Sequence, residues 1–155
     1  MSVLKFIKYA ALGFVLAAAT SCWAGTPVEF SPEQGVKAAL RVEDGKLLYE
    51  ITTGSGPVIG SVDTQTEKPI HIEIGDYEFS GRKGFSFWSI DEGMGTYRIY
   101  RIFTFSKAAN NFVERSPGCG DEFINLKVDK SRKRLLSTYF IDNMPKICKT
   151  RLRVD

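Results

Sequence analysis

The sequence is poor in the residues on which catalysis most often depends. Its 155 residues include one histidine, His71, and three cysteines. No Gly-x-Ser-x-Gly nucleophile elbow accompanies His71, and one histidine with widely spaced cysteines cannot complete a tetrahedral zinc site. No phosphate-binding loop is present either, because Gly54-Ser55-Gly56 lacks a following lysine and helix. We therefore predict a protein that is not an enzyme, with His71 on its surface and no cofactor.

Helical periodicity is also missing. Beyond residue 24, no stretch of about 12 residues repeats its apolar positions with the spacing of an amphipathic helix. Short β-rich runs separated by turn residues recur instead, with a strong hairpin signal at Asp44-Gly45. We predict an all-β, antiparallel, hairpin-rich domain, either a meander, a sandwich or propeller-like, with room for one helical turn. The predicted strands are 36–42, 47–53, 58–62, 69–74, 85–90, 96–105, 112–113, 124–128, 133–140 and 147–154.

The apolar run at residues 9–19 is shorter than the roughly 20 residues of a membrane span. It follows two lysines and precedes Cys22-Trp23-Ala24, which is the order of a secretory signal peptide. We predict a cleaved signal at 1–24 and a single β domain at 25–155 in the periplasm of a Gram-negative cell. As an alternative, 19–22 resembles a weak lipobox that would anchor a lipoprotein through Cys22.

The charge balance argues against a nucleic-acid binder. Residues 25–155 hold 19 basic and 18 acidic side chains, a net charge of +1. The two halves differ, with −6 over 25–79 and +7 over 80–155. One predicted turn concentrates basic residues, either as a solvated face or as a surface for an anionic partner. Its members are Lys127, Lys130, Arg132, Lys133 and Arg134.

Two cysteines, Cys119 and Cys148, fall inside the predicted domain. An exported chain with two cysteines and no Cys-x-x-Cys motif favours one structural disulfide. In the chain-entropy model, closing this loop of about 30 residues contributes about 3–4 kcal/mol to stability.

The segment 76–81 begins like a calcium loop. Asp76, Glu78 and Ser80 place oxygens at positions 1, 3 and 5, and Gly81 occupies position 6. Positions 9 and 12 lack carboxylates, and two basic residues follow Gly81. We therefore expect a metal-free turn in which Asp76 and Ser80 bond backbone amides.

Five short motifs follow one another over residues 60–153: the Asp76 loop, Tyr97-x-x-Tyr100, Phe112-Val113-Glu114, Leu126-x-Val128-Asp129 and Lys133-x-Leu135-Leu136-Ser137. Their order resembles a loose family of exported bacterial β proteins. This family includes periplasmic inhibitors of invertebrate-type lysozyme and the immunity lipoproteins of antibacterial type IV secretion. The resemblance implies that a Ser-Gly loop, here Ser80-Gly81, plugs an enzyme cleft with Tyr97 as its aromatic companion. Gly84 stands where the family's loop often ends in Asp.

We therefore expect a binding module that inhibits, or confers immunity to, a secreted peptidoglycan hydrolase or another antibacterial effector. Two loops carry suitable groups, and their residues are Ser80, Gly81, Arg82 and Lys83 in the first and Asp91, Glu92 and Met94 in the second, with Tyr97 nearby. Asp91-Glu92 is weak as a glycosidase pair, since adjacent side chains diverge. The alternative is a structural or accessory envelope protein whose aromatic strands are simply core.

Overall fold

A computed structural model describes residues 26–154, and every regular element among them is a β-strand. The predicted all-β, antiparallel class is confirmed, and the helical turn allowed for does not occur in this range. No membrane-spanning helix is found among these residues. The predicted signal peptide and Cys22 lie outside them. The strands are β1 Val28–Phe30, β2 Lys37–Glu43, β3 Lys46–Thr53, β4 Gly56–Asp63, β5 His71–Gly75, β6 Gly84–Ile90, β7 Arg98–Ser106, β8 Asn111–Arg115, β9 Phe123–Asp129, β10 Arg134–Ile141 and β11 Met144–Thr150.

Strands β1 to β4 form a four-stranded antiparallel meander. The β2–β3 hairpin turns at Asp44-Gly45, whose φ angles of 48° and 71° fit a two-residue type I′ turn, as predicted. The β3–β4 hairpin turns at Gly54 and Ser55. Strand β4 therefore begins at Gly56, two residues before the predicted start at residue 58. Strand β1, of three residues, was not predicted.

The remaining strands form a seven-stranded sheet in the order β11-β10-β9-β7-β6-β5. Strand β7 shares one of its edges between two partners. Its first part pairs with β9 at Ile99 and Tyr100, and its last part, from Ile102 to Ser106, pairs with β8. The last strand starts earlier than predicted, because Asp142-Asn143 forms a tight turn with φ angles of 48° and 60° that joins β10 directly to β11.

The main core lies between the two sheets, which pack face to face. Leucine, isoleucine and tyrosine side chains of β2 and β3 meet an aromatic cluster from β6, β7 and β8. Phe85 stacks on Phe103 at 4.8 Å between ring centroids and meets Phe112 edge-on at 4.9 Å. Each fully buried ring contributes about 1.5–3 kcal/mol. The two stacked sheets form a sandwich, which is one of the arrangements that the sequence left open.

A second, smaller core covers the other face of β7. Tyr100 and Ile102 pack there with Tyr77, Phe123 and Leu135, and all five side chains are buried. Burial raises the pKa of Tyr77 to about 12, while its hydroxyl keeps a 2.8 Å hydrogen bond with that of Ser86. Strand β7 is therefore the central strand of the molecule, packed on both faces.

Strands β9, β10 and β11 extend the large sheet sideways, and we call them the arm. The core between the sheets includes no described residue of the arm. The predicted disulfide is confirmed, since Cys119, which precedes β9, is bonded to Cys148 on β11, 29 residues later. Cys148 is fully buried. The bond therefore holds the segment before the arm against its outermost strand.

Candidate binding loops and surfaces

The loop joining β5 to β6 is closed by Asp76. Its carboxylate accepts hydrogen bonds from the backbone amides of Ser80 at 3.0 Å and Gly81 at 2.7 Å. The Ser80 hydroxyl accepts one from the Arg82 amide at 3.3 Å. These are the bonds expected of a turn organised by its own side chains. Ser80, Gly81 and Lys83 are exposed at the surface, whereas Arg82 is half-buried.

Glu78, the middle residue of the calcium-like pattern, points away from Asp76 into the protein. Its side chain is 2% exposed and accepts a hydrogen bond from the Thr104 hydroxyl at 2.8 Å. It also forms ion pairs with Arg115 at 2.8 Å and Arg82 at 3.4 Å. The carboxylates of Asp76 and Glu78 thus serve different partners. Among residues 26–154, no group of three or more acidic, histidine or cysteine side chains is placed to hold a metal.

The loop joining β6 to β7 is held by Asp91. Its carboxylate accepts hydrogen bonds from the backbone amides of Tyr97 and Thr96, both at 2.7 Å, and of Gly95 at 3.3 Å. The bond from Tyr97, with those from Thr96 and Gly95, holds the pKa of Asp91 below its usual value. The Asp91 amide in turn donates to the Tyr97 carbonyl at 2.9 Å. We call residues 91–97 the Asp91 loop, and its shape is fixed at both ends.

The other predicted residues of the Asp91 loop differ in their roles. Glu92 accepts a short hydrogen bond from the Thr66 hydroxyl, which ties the loop to the connection between β4 and β5. Met94 is 90% exposed. Tyr97 packs edge-on against Phe140 of the arm, with ring centroids 5.7 Å apart. The loop therefore presents one large apolar side chain to solvent from a base anchored on two sides.

The structure does not bring the two predicted loops together. They flank the seven residues of β6, so they lie at opposite ends of one strand, about 20 Å apart at roughly 3.3 Å per residue. Tyr97 lies with the Asp91 loop and against Phe140, so the expectation that it accompanies Ser80 is wrong. A partner whose cleft is narrower than this separation can therefore hold only one of the two loops.

A cleft of about 450 Å³ opens beside the Asp91 loop. Phe87 and Ile99 contribute to its lining, together with the ion pair of Arg101 and Glu114, whose closest atoms are 2.6 Å apart. Asp91 and Glu92 reach this cleft, but their carboxylates are committed to the loop amides and to a neighbouring hydroxyl. Both acidic side chains thus have a structural role in the loop, and Glu114, Asp121 and Glu122 add further carboxylates to the lining of the cleft.

The predicted basic turn joins β9 to β10. Asp129 lies inside it and accepts hydrogen bonds from the Ser131 hydroxyl at 2.8 Å and Arg134 Nε at 2.9 Å. The Ser131 bond first, then those from Arg134 and the Arg132 amide, lower the pKa of Asp129 to about 2. The three lysines of this cluster, Lys127, Lys130 and Lys133, are exposed.

The predicted surface position of His71 is confirmed, and it has a defined neighbour. The imidazole of this exposed residue stacks on Trp88, with ring centroids 4.0 Å apart. The Arg98 guanidinium lies 4.5 Å from the centroid of the same indole, and the indole nitrogen donates to Glu73 at 2.8 Å. The Trp88 indole thus contacts three side chains of the same surface. The contact described for His71 is with this aromatic ring and not with a nucleophilic side chain.

Sequence reasoning missed an exposed apolar surface on the arm. Phe140, Ile141, Met144 and Ile147 are 41%, 49%, 59% and 63% exposed, and all belong to the hairpin of β10 and β11. The signal was present as large apolar residues on both sides of the Asp142-Asn143 turn. It was not recognised because such runs normally predict core strands.

The chain matches no protein family, no curated protein and no solved structure. The resemblance to exported lysozyme inhibitors and immunity proteins therefore stays a prediction.

Proposed function

We propose that this protein is an exported, non-enzymatic binding protein that inhibits, or confers immunity to, a secreted peptidoglycan hydrolase by inserting the Asp91 loop into the enzyme's cleft. The observation that carries the proposal is the set of three backbone amides bonded to the Asp91 carboxylate. The target class comes from the motif resemblance, and the binding mode comes from the geometry of the loop.

A loop held in one shape before binding loses little conformational entropy when it enters a cleft. The Asp91 loop meets this condition, because internal bonds fix its two ends and Glu92 ties it to Thr66. Its exposed Met94 supplies a flexible apolar side chain that adapts to the wall of a pocket. Exposed residues of this kind, on a rigid scaffold, are typical of binding loops.

The Ser80 turn is the second place where a partner would bind. Its amides are used by Asp76, and the half-buried Arg82 pairs with Glu78, so Lys83 is its main exposed charge. We rank this turn after the Asp91 loop, because it presents no large apolar side chain to solvent. A role as an accessory envelope protein would use neither loop.

The test is co-purification with candidate wall hydrolases, followed by a lysis assay on isolated peptidoglycan. We expect the wild-type protein to bind and inhibit one of these hydrolases, and we expect the Met94→Glu variant to lose both binding and inhibition. The matched control is Ile59→Glu, since Ile59 is 77% exposed on β4 and lies on the other sheet. Lys83→Glu reports separately on the Ser80 turn.

Two results would contradict the proposal. The first is the absence of any complex or inhibition across lysozyme-like and amidase hydrolases. The second is an inhibited enzyme whose binding is lost with Ile59→Glu or Lys83→Glu but kept with Met94→Glu, which would move the contact away from the Asp91 loop.

A further inference from the structure

One face of the arm is an apolar sheet surface that the second sheet does not cover. Leu136, Thr138 and Phe140 alternate along β10 and therefore point to the same side. Thr138 lies opposite Ile147 of β11 and Ile124 of β9. Ile124 in turn lies opposite Ile99, which places this surface on the side of the large sheet that faces the main core. We define the arm face as the following residues of the arm: Ile124, Leu136, Thr138, Phe140 and Ile147, with Lys127 and Lys149.

Lysines border the arm face. Leu136 lies directly opposite Lys127 on one neighbouring strand and Lys149 on the other, so both lysines share its side of the sheet. Their Cα atoms are about 10 Å apart, which is twice the spacing between paired strands. Both side chains are exposed, as is that of Lys146 near the other end of β11. An apolar strip thus runs from a lysine row to the exposed Phe140.

The arm, in which we now include the four residues 151–154 after β11, also carries the net positive charge of residues 26–154. Residues 125–154 hold nine basic and two acidic side chains, a net charge of +7, whereas residues 26–124 hold ten basic and fifteen acidic ones, a net charge of −5. One of the two acids, Asp129, is already bonded to Arg134 and Ser131. The exposed basic residues of the arm are Lys127, Lys130, Arg132, Lys133, Lys146, Lys149, Arg151 and Arg153.

We infer that the arm face docks on a lipid bilayer that contains anionic phospholipids. Exposed apolar side chains beside clustered lysines and arginines are the combination that holds peripheral proteins on such bilayers. Ile147 and Phe140 enter the interface, and Lys127 and Lys149 reach the phosphate groups with their long side chains. The acidic remainder of the protein is repelled by the same surface, which orients the molecule with the arm towards the lipid.

A protein partner fits this surface less well. Lysine is depleted in protein–protein interfaces, whereas five of the nine basic residues of the arm are lysines. The apolar residues near the Asp142-Asn143 turn also occupy both sides of the hairpin, because Ile141 and Met144 point opposite to Phe140 and Ile147. A fluid interface accommodates both sides, while a protein surface contacts one.

The first test measures binding of the full chain to vesicles of phosphatidylcholine and phosphatidylglycerol in equal parts. Lys127→Gln/Lys149→Gln is expected to weaken binding about fivefold per lysine, or about 30-fold. The matched control, Lys37→Gln/Lys46→Gln, removes two exposed lysines from the other sheet and is expected to weaken binding less than about twofold. Every variant carries the same residues 1–25, so differences between variants report on the arm.

The second test locates the contact. Ile147→Trp places an indole on the arm face, and Ile59→Trp places one at a similarly exposed site on β4. Brominated phospholipids are expected to quench the added fluorescence of Ile147→Trp and not that of Ile59→Trp.

Equal quenching at both sites, or none at residue 147, would overturn the inference. So would a lysine pair on the arm that behaves like its control. If Lys127→Gln/Lys149→Gln kept full vesicle binding but lost hydrolase inhibition, the arm face would be a protein contact instead. The inference does not depend on the proposed inhibition, since vesicle binding is measured without any hydrolase.

Discussion

The environment of the buried Glu78 carboxylate leads to a prediction that distinguishes an ion-pair role of this residue from a calcium-binding role. Its side chain is 2% exposed and bonds Arg115 and Thr104, each at 2.8 Å, and Arg82 at 3.4 Å. The substitution Glu78→Gln keeps the size of the side chain and one acceptor oxygen but removes the charge. Both guanidinium groups, whose side chains are 13% and 16% exposed, then lose this carboxylate.

We expect Glu78→Gln to lower the free energy of unfolding substantially. Removing one partner of a buried ion pair costs about 3–5 kcal/mol, and we take about 3 kcal/mol because glutamine still accepts from the threonine hydroxyl. With a urea dependence of about 1.5 kcal/mol per molar, the unfolding midpoint falls by about 2 M. The control is Lys107→Gln, because the pair of Lys107 with Glu33 has a lysine side chain that is 72% exposed. Such a pair contributes about 0.2–1 kcal/mol.

The assay is urea unfolding followed by circular dichroism, with and without calcium or a chelator. We expect a large shift for Glu78→Gln, a small one for Lys107→Gln, and no effect of calcium on either. A Glu78→Gln midpoint within the range of the control would refute the ion-pair argument. A wild-type midpoint that rises with calcium and a variant that no longer responds would restore the calcium reading of the loop.

The remaining predictions concern the disulfide, one glycine and one acid. Cys119→Ala/Cys148→Ala opens a loop with a sequence separation of 29 residues and should lower the free energy of unfolding by about 3–4 kcal/mol, and an unchanged urea midpoint would contradict this. Gly84→Ala places a Cβ 2.2 Å from a backbone carbonyl oxygen of β7 and should lower the free energy of unfolding by about 2–3 kcal/mol. Gly54→Ala meets nothing within 4 Å and should lower it much less, and urea unfolding of both variants measures the difference. The pKa of Asp129 is lowered to about 2, so the stability that this carboxylate contributes is complete above the ordinary pKa of 3.8 and is lost as the pH falls through 2. Carbon NMR titration of the Asp129 carboxyl should give a midpoint near 2. A midpoint near 3.8 would contradict the hydrogen bonds described.

The parts of the fold that the sequence predicted are those encoded by near neighbours. The Asp44-Gly45 turn was predicted because two residues specify a type I′ hairpin. The strand at 69–74 was predicted from the local alternation of apolar and polar residues, and in the structure Ile70, Ile72 and Ile74 are half-buried while the polar residues between them are exposed. The Cys119–Cys148 bond followed from having only two cysteines in the domain.

The parts that escaped prediction depend on distant contacts. Glu78 and Arg115 are 37 residues apart, so nothing local distinguishes their buried ion pair from a surface charge. The sharing of one edge of β7 between β8 and β9 is likewise set by which strands arrive beside it. Whether a face of the arm is covered depends on the width of the second sheet, which no local pattern records.

The candidate loops show both situations. The closure of the Ser80 turn by Asp76 was predicted, since an aspartate often bonds amides a few residues ahead. The separation of Tyr97 from Ser80 follows from the strand between them, and it was missed because the motif resemblance placed the two together.

The disulfide also decides how the chain carries mechanical force. The ring from Cys119 to Cys148 encloses β9, β10 and most of β11. A pull on the two ends of the chain passes through the sulfur–sulfur bond and bypasses the residues between the cysteines. The 29 Cα–Cα steps from Cys119 to Cys148 would otherwise lengthen the stretched chain by about 100 Å at roughly 3.5 Å per step. Tension that separates the two sheets therefore leaves the three strands of the arm unextended.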